Sequence, residues 1–130
     1  MPILTDDDLA LLREPQLAHV ATVLPDGTPH VTPVWVDTDG THVIFNTAKG
    51  RVKYENLLRD PVVAISVVDK TDDYRTLWLQ GRATIVEEGA DAHIDRMAKK
   101  YLGKDTYPLR QAGEVRVIVR VAPTAKLSRG

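Results

Sequence analysis

LAHVATVL, residues 17–24, and HVTPVWVD, residues 30–37, are mostly apolar stretches broken by single polar residues and read as strands. The turn PDGTP between them predicts a β-hairpin. A second turn, TDGT at 38–41, leads into a third strand, HVIFNTA, at 42–48. Residues 62–68, VVAISVV, form an almost uninterrupted apolar run of strand length, so this strand is expected to be covered on both faces. After the polar loop DKTDDY comes TLWLQGRATIVEE, residues 76–88. It puts Leu77, Leu79, Gly81, Ala83 and Ile85 on a core face and Trp78, Gln80, Arg82 and Thr84 on a face free to meet a ligand or partner. The last strand, EVRVIVRVAP at 114–123, alternates Val115, Val117, Val119 and Val121 against Arg116, Ile118 and Arg120.

Helical spacing appears in three places. Thr5 followed by Asp6, Asp7 and Asp8 is an N-cap with acids in the first turn, and Leu9, Leu11 and Leu12 make a short amphipathic helix that ends near Pro15. It reads as a lid over the core. A second helix falls within FNTAKGRVKYENLLRDP, residues 45–61. The third, ADAHIDRMAKKYL at 90–102, carries Ile94, Met97, Ala98 and Tyr101 on one face and stops at Gly103. Six strands and three helices, with no repeat or linker, predict one domain over residues 1–130. It is mainly β (α+β), a small six-stranded antiparallel barrel with helices outside or across its ends.

Composition narrows the chemistry. The 130 residues suffice for one domain with its own core. There is no cysteine, which excludes disulfides, thiolate nucleophiles and Cys-ligated metal centres and fits a reducing compartment. A net charge of −1 provides no global attraction to nucleic acid or an anionic membrane, so any anion site must be local. The start of the chain lacks a basic leader, and no segment approaches the ~20 apolar residues of a membrane span, so a cytoplasmic protein is expected.

Of the two serines, Ser66 sits in a buried-looking strand and Ser128 in the tail, neither on a nucleophile elbow. His19, His30, His42 and His93 lack metal-ligand spacing, and Asp69, Asp72 and Asp73 lack the pattern of a calcium loop. What stands out is Lys49, Arg51 and Lys53 at the mouth of the second helix. The N-terminal N–H groups and the helix dipole already make that place positive, so cations there are locally disfavoured. An anion such as a phosphate among them resolves the conflict, and Gly50 lets the backbone approach it; the other reading is an exposed, solvated turn. No Walker pattern is present.

The stretch VIFNTAKGRVKYENLLRDPVVAISV resembles the split-barrel flavin-binding superfamily of pyridoxamine 5'-phosphate oxidase. There a strand ends in Thr or Ser, cations follow, and an NL..DP.V helix end leads into the next strand. The resemblance runs from LAHVATVLPDGTPHVTPVWV through LWLQGRATIV to VIVRVAPTA. DGTPHVTPVWV and KGRVK are most similar to the branch that uses the deazaflavin coenzyme F-420, and the longer chain and Arg-rich signature of the B6 oxidases proper are absent.

The resemblance implies a six-stranded split barrel. It implies that Arg51 and Lys53, with Lys49 nearby, hold the cofactor phosphate, and that Asn46, Thr47 and Ala48 offer backbone and side-chain contacts at the strand end. Thr32, Pro33, Val34 and Trp35 would lie beside the ring system, although Trp35 reads equally as a core or interface aromatic. It further implies a homodimer with the cofactor in the inter-subunit cleft, where Trp78 and Gln80 reach the partner's cofactor or simply pack the interface. The reaction implied is hydride transfer from reduced deazaflavin to a small conjugated acceptor, with no acid–base pair needed from the protein. Two alternatives stay open: an FMN-binding oxidoreductase of the same fold, and a non-catalytic flavin or tetrapyrrole carrier. Residues 101–114, YLGKDTYPLRQAGE, are the expected substrate loop.

Overall fold

The alternating segments pair into a single antiparallel sheet. In the computed structural model, which describes residues 3–127, the elements are α1 (Asp6–Arg13), β1 (Leu17–Val23), β2 (Pro29–Trp35), β3 (Asp37–Thr38), β4 (Val43–Ala48), α2 (Val52–Arg59), β5 (Val62–Asp69), β6 (Asp72–Val86), α3 (Ala90–Leu102) and β7 (Arg116–Lys126). Ser128 lies outside the described residues. The order across the sheet is β2-β1-β5-β6-β7-β4-β3. Thus β2 and β3 are neighbours in sequence, separated by Val36 alone, yet form opposite edges. The sheet must curl to bring those edges together. β3 pairs only with Val43 and Ile44, so β4 from Phe45 onward has no strand on that side, and the barrel stays open along a seam between β2 and the end of β4. The expected mainly β split barrel is therefore present, with the two-residue β3 as a seventh strand.

Alternation sets the interior. Val20, Ile65, Leu79, Val119, Val121 and Phe45 face inward, each at most 3% exposed. Gly81 also faces inward, at a β-bulge where a Cβ would meet the Ala122 carbonyl oxygen and Val121 Cγ1, both at 2.6 Å. Only a residue without a side chain allows β6 and β7 to approach so closely.

Three expectations are corrected. α1 is not a lid: Leu11 and Leu12 are 1% and 0% exposed and belong to the core. The Thr5 hydroxyl accepts from Asp8 N while Asp8 Oδ2 accepts from Thr5 N, and Asp8 also pairs with Lys126, fixing α1 against β7. Residues 69–74 are not an extended loop, because β6 already starts at Asp72 and the turn is tight. Asp69 Oδ1 accepts from Thr71 N and Oγ1, Gln16 Oε1 accepts from Lys70 N, and Arg75 bridges Asp69 and Glu14. Finally, β5 is covered on one face only: Val63, Ile65 and Val67 are buried while Val62 and Val68 are about half exposed.

The C-terminal turn of α3 clamps the crossing between the sheet's two edges. Tyr101 Oη accepts from Val36 N (2.8 Å) and donates to Gln16 O (2.5 Å), and Lys100 Nζ donates to Val36 O and Leu12 O. Burial pushes the Tyr101 phenol up to about 12 and holds the Lys100 ammonium below its usual value. Among the described residues no helix is long and apolar enough to cross a membrane.

Candidate functional site

The seam opens into a cavity of about 340 Å³. Pro33, Val34 and Trp35 of β2 form one wall, and Asn46 and Thr47 at the end of β4 form the facing wall. Because β2 is an edge strand, half of its backbone N–H and C=O groups point away from the sheet. Ile94 and Met97 of α3 form an apolar side, with Tyr107 and Leu109 beside them and Leu17 at the rim. The cationic end holds Arg51, Lys53 and Arg116.

Local sequence explains how the cations arrive there. Gly50, at φ +90°, turns the chain out of β4, so Arg51 becomes the N-cap of α2 and Lys53 falls in its first turn. Arg51 makes no side-chain cap bond. Lys53 is half-buried, and its ammonium is held below the usual value by burial first, then by the positive charges of Arg51 and Arg116. Lys49 goes elsewhere. Its Nζ lies 2.8 Å from Glu87, whose hydrogen bond raises its pKa, and it does not line the cavity.

Arg116, at the first position of β7, is 6% exposed. Its Nε donates to Asn46 Oδ1 (2.8 Å) and its Nη1 to Glu114 Oε1 (3.2 Å), and the guanidinium lies 5.2 Å from the centre of the Tyr107 ring. Asn46 in turn donates from Nδ2 to Ala90 O and to His93 Nδ1. That fixes the proton of His93 on Nε2, which has no hydrogen-bond partner and stands 3.9 Å from Asp37 Oδ2. Burial depresses the His93 pKa to about 4, so the ring is neutral.

Aromatic rings continue the cavity wall. Trp35 stacks on Tyr101 with centroids 5.1 Å apart and planes at 11°, and meets Tyr107 edge-on at 5.9 Å. The segment carrying Tyr107 and Leu109 is tied to α3: Asp95 Oδ1 accepts from Tyr107 N, and Arg110 pairs with Asp91 and Asp95.

Of the residues singled out in the sequence, the cavity brings together Pro33, Val34, Trp35, Asn46, Thr47, Arg51 and Lys53. Ala48 and Gly50 supply the turn rather than a wall. Thr32 points to the inner face opposite Val20, with its hydroxyl unpartnered. Trp78 and Gln80 lie on the outer face of β6, opposite Ser66 and Ala64, and do not line the cavity. The sequence reading missed Arg116, Ile94, Met97 and Leu17 as wall residues. Among the described residues no group of three His, Asp or Glu side chains converges on a metal-sized site. A flat apolar and aromatic chamber with a cationic end suits a ligand that joins a ring system to an anionic group.

Known proteins share this architecture. The sequence profile of the pyridoxamine 5'-phosphate oxidase family matches residues 4–126. An F-420-dependent biliverdin reductase of Mycobacterium tuberculosis is 35% identical over 129 residues, which cover 95% of this chain and 90% of that protein. The solved structure of an F-420 reductase is 36% identical and superposes with a TM-score of 0.79 over 91% of this chain and 94% of that one. A conserved hypothetical protein of Mycobacterium tuberculosis, 25% identical, superposes with a TM-score of 0.73 over 96% of this chain and 84% of its own. A match spanning all seven strands, on the same curled sheet, shows that this chain belongs to the pyridoxamine 5'-phosphate oxidase family.

Proposed function

We propose that the chain is a coenzyme F-420-dependent reductase that passes a hydride from the reduced deazaflavin to a small conjugated acceptor. The observation that carries this reading is the seam cavity, with Arg51 and Lys53 at one end and the edge strand Pro33–Trp35 along the other. The similarity to a curated F-420-dependent reductase and to the solved structure of an F-420 reductase supports deazaflavin over FMN as the cofactor. Reduced deazaflavin supplies the hydride when bound. The chain's own residues bind and orient: Arg51 and Lys53 hold the phosphate, and the unpaired edge of β2 offers hydrogen-bonding groups to the ring. Ile94, Met97 and Leu109 exclude water. Among the described residues no carboxylate lines the cavity, so the proton that accompanies the hydride comes from solvent.

The proposed assembly is a homodimer. On the outer face of β2-β1-β5-β6, Leu17, Ala21, Val31, Ala64 and Val68 lie together with Trp78, and Leu17 and Val31 are more than half exposed. Leu17, Pro33 and Trp35 belong both to this face and to the cavity wall, so a second copy seated here would cover the chamber and bring Trp78 and Gln80 to its neighbour's site. Light scattering at low micromolar concentration should report two chains.

The cofactor is tested by titrating the purified protein with coenzyme F-420 and with FMN, followed by fluorescence, and then by aerobic turnover of reduced F-420 with conjugated enones and tetrapyrroles. Reoxidation only when an acceptor is present supports the reading. Tight copurifying FMN with no F-420 binding transfers it to an FMN oxidoreductase, and binding without turnover transfers it to a carrier.

A further inference from the structure

Arg116 is an arginine with 94% of its surface removed from solvent, and such residues are found inside proteins only when their charge is answered. Here the answer is incomplete. The guanidinium carries five N–H donors in a rigid fork. Nε is used by Asn46 and Nη1 by Glu114, while Nη2 has no protein acceptor among the described residues. The carboxylate that serves Arg116 is shared, because Glu114 Oε2 also stands 3.8 Å from Arg51 Nη2. Glu114 is itself buried, its side chain 7% exposed. Three cations, Arg51, Lys53 and Arg116, thus stand together on the cavity wall, and Glu114 pairs with two of them, which leaves an excess of positive charge in a partly desolvated place.

A purely structural role accounts for part of this arrangement. Nε holds the Asn46 amide, Nη1 holds Glu114, and the flat face covers Tyr107. It does not account for the spare Nη2, for the guanidinium's place on the cavity wall, or for a charge excess felt at Lys53. An anionic ligand accounts for all three, and a fork presenting parallel N–H groups matches the oxygens of a phosphoryl group better than a point charge does.

We propose that Arg116 is a ligand-binding residue that completes, with Arg51 and Lys53, a cradle for a phosphoryl group, and that Glu114 is a positioning residue whose shared carboxylate sets the two guanidinium groups in place. This deepens the cofactor reading and rests on it only for which phosphoryl ligand is bound. Asn46 then acts at one remove: it fixes the plane of Arg116 while its own amide is fixed by Ala90 O and the neutral His93 ring.

The test uses the full chain as parent, Arg116→Gln and Arg116→Lys, each first checked for a cooperative thermal transition. In the first arm, inorganic phosphate is compared with chloride at matched ionic strength, and the melting temperature is read. Phosphate should raise it for the parent, much less for Arg116→Lys and not for Arg116→Gln. In the second arm, fluorescence titration compares coenzyme F-420 with its phosphate-free ring riboside. Arg116→Gln should bind the coenzyme about tenfold more weakly, as expected for loss of a charge-assisted hydrogen bond, and the riboside as the parent does. Should Arg116→Gln not fold, Arg116→Lys carries both arms, with a several-fold loss for the coenzyme alone.

Equal stabilisation of parent and variants by phosphate, no stabilisation of the parent at all, or equal losses for coenzyme and riboside each overturn the proposal. A phosphate effect that depends on Arg116, without any F-420 binding, upholds the cradle and removes the F-420 reading instead.

Discussion

Replacing Tyr101 with Phe removes one oxygen and leaves the ring that stacks on Trp35 in place. That oxygen accepts from Val36 N, a residue 0% exposed, and donates to the carbonyl of Gln16, which is 3% exposed. Both backbone groups lose a partner in a place water reaches poorly. The carbonyl, with a second lone pair, tolerates this better than the N–H. An orphaned buried group costs about 1 to 3 kcal/mol, so the two together should cost about 2 kcal/mol, dominated by Val36. With an unfolding entropy of about 2.1 cal/mol/K per residue, that lowers the melting temperature of this chain by about 7 °C. The measurement is a circular dichroism melt of parent and Tyr101→Phe at one protein concentration, with cofactor affinity as the companion readout. Affinity should change by less than about twofold, since the ring stack survives. A melting temperature within about 2 °C of the parent's would refute the assignment of the Val36 crossing to this hydroxyl.

Three further outcomes are expected. Gly81→Ala should destabilise by about 1 to 3 kcal/mol, because its Cβ would stand 2.6 Å from the backbone oxygen of Ala122, and an unchanged melt would show the β6–β7 bulge to be looser than described. Glu14 and Asp69 have carboxyl pKa values lowered chiefly by hydrogen bonds, with Arg75 first for Glu14 and Thr71 followed by Arg75 for Asp69; both groups therefore bind fewer protons folded than unfolded. The stabilisation Arg75 gives is fully present above the unfolded pKa of about 4 and is lost as pH falls through the lowered folded values, so the melting-temperature gap between parent and Arg75→Met should be constant above about pH 5 and narrow as pH falls below it; a gap unchanged down to about pH 3 contradicts it. His93 has a folded pKa depressed to about 4, so the unfolded chain takes up its proton first and stability declines as pH falls from about 6.5 toward 4. Imidazole ¹⁵N spectra should show a neutral ring protonated on Nε2 down to about pH 5, and titration near 6.5 would dissolve the Asn46–His93 link.

How much of this was legible depends on how far apart the cooperating residues lie in sequence. The hairpin of β1 and β2, the cations beyond β4 and the helix α3 are local patterns, and each appears where the alternation or the capping signals put it. Arg51 and Lys53 could be found because a helix N-terminus is a place where cations are unexpected. Arg116 looked like any solvent-facing residue of an alternating strand; it is buried because a loop aromatic and Asn46, 70 positions earlier, close over it. Lys49 shared the local signal of its neighbours, but Glu87, on the far side of β5 and β6, draws it away. The apolar run of β5 promised cover on both faces and the single chain delivers one, since a run of valines records how much surface wants burial and not which molecule buries it. α1 was misjudged for a related reason: eight residues cannot show by themselves that two of their leucines complete a barrel's interior.

The order of the strands has a consequence for how the protein is made. β7 is inserted between β6 and β4, so on an emerging chain β4 has only two-residue β3 beside it until residues 116–126 have left the ribosome. Everything up to α3 can be synthesised while one whole side of β4 remains an open edge, an invitation to pairing with the wrong neighbour. Arg116 arrives on that same final strand. The pocket's cationic end and the sheet's continuity are therefore completed in one event, and a nascent or truncated chain that has not yet placed β7 lacks both the closed sheet and the Arg116 guanidinium on the cavity wall.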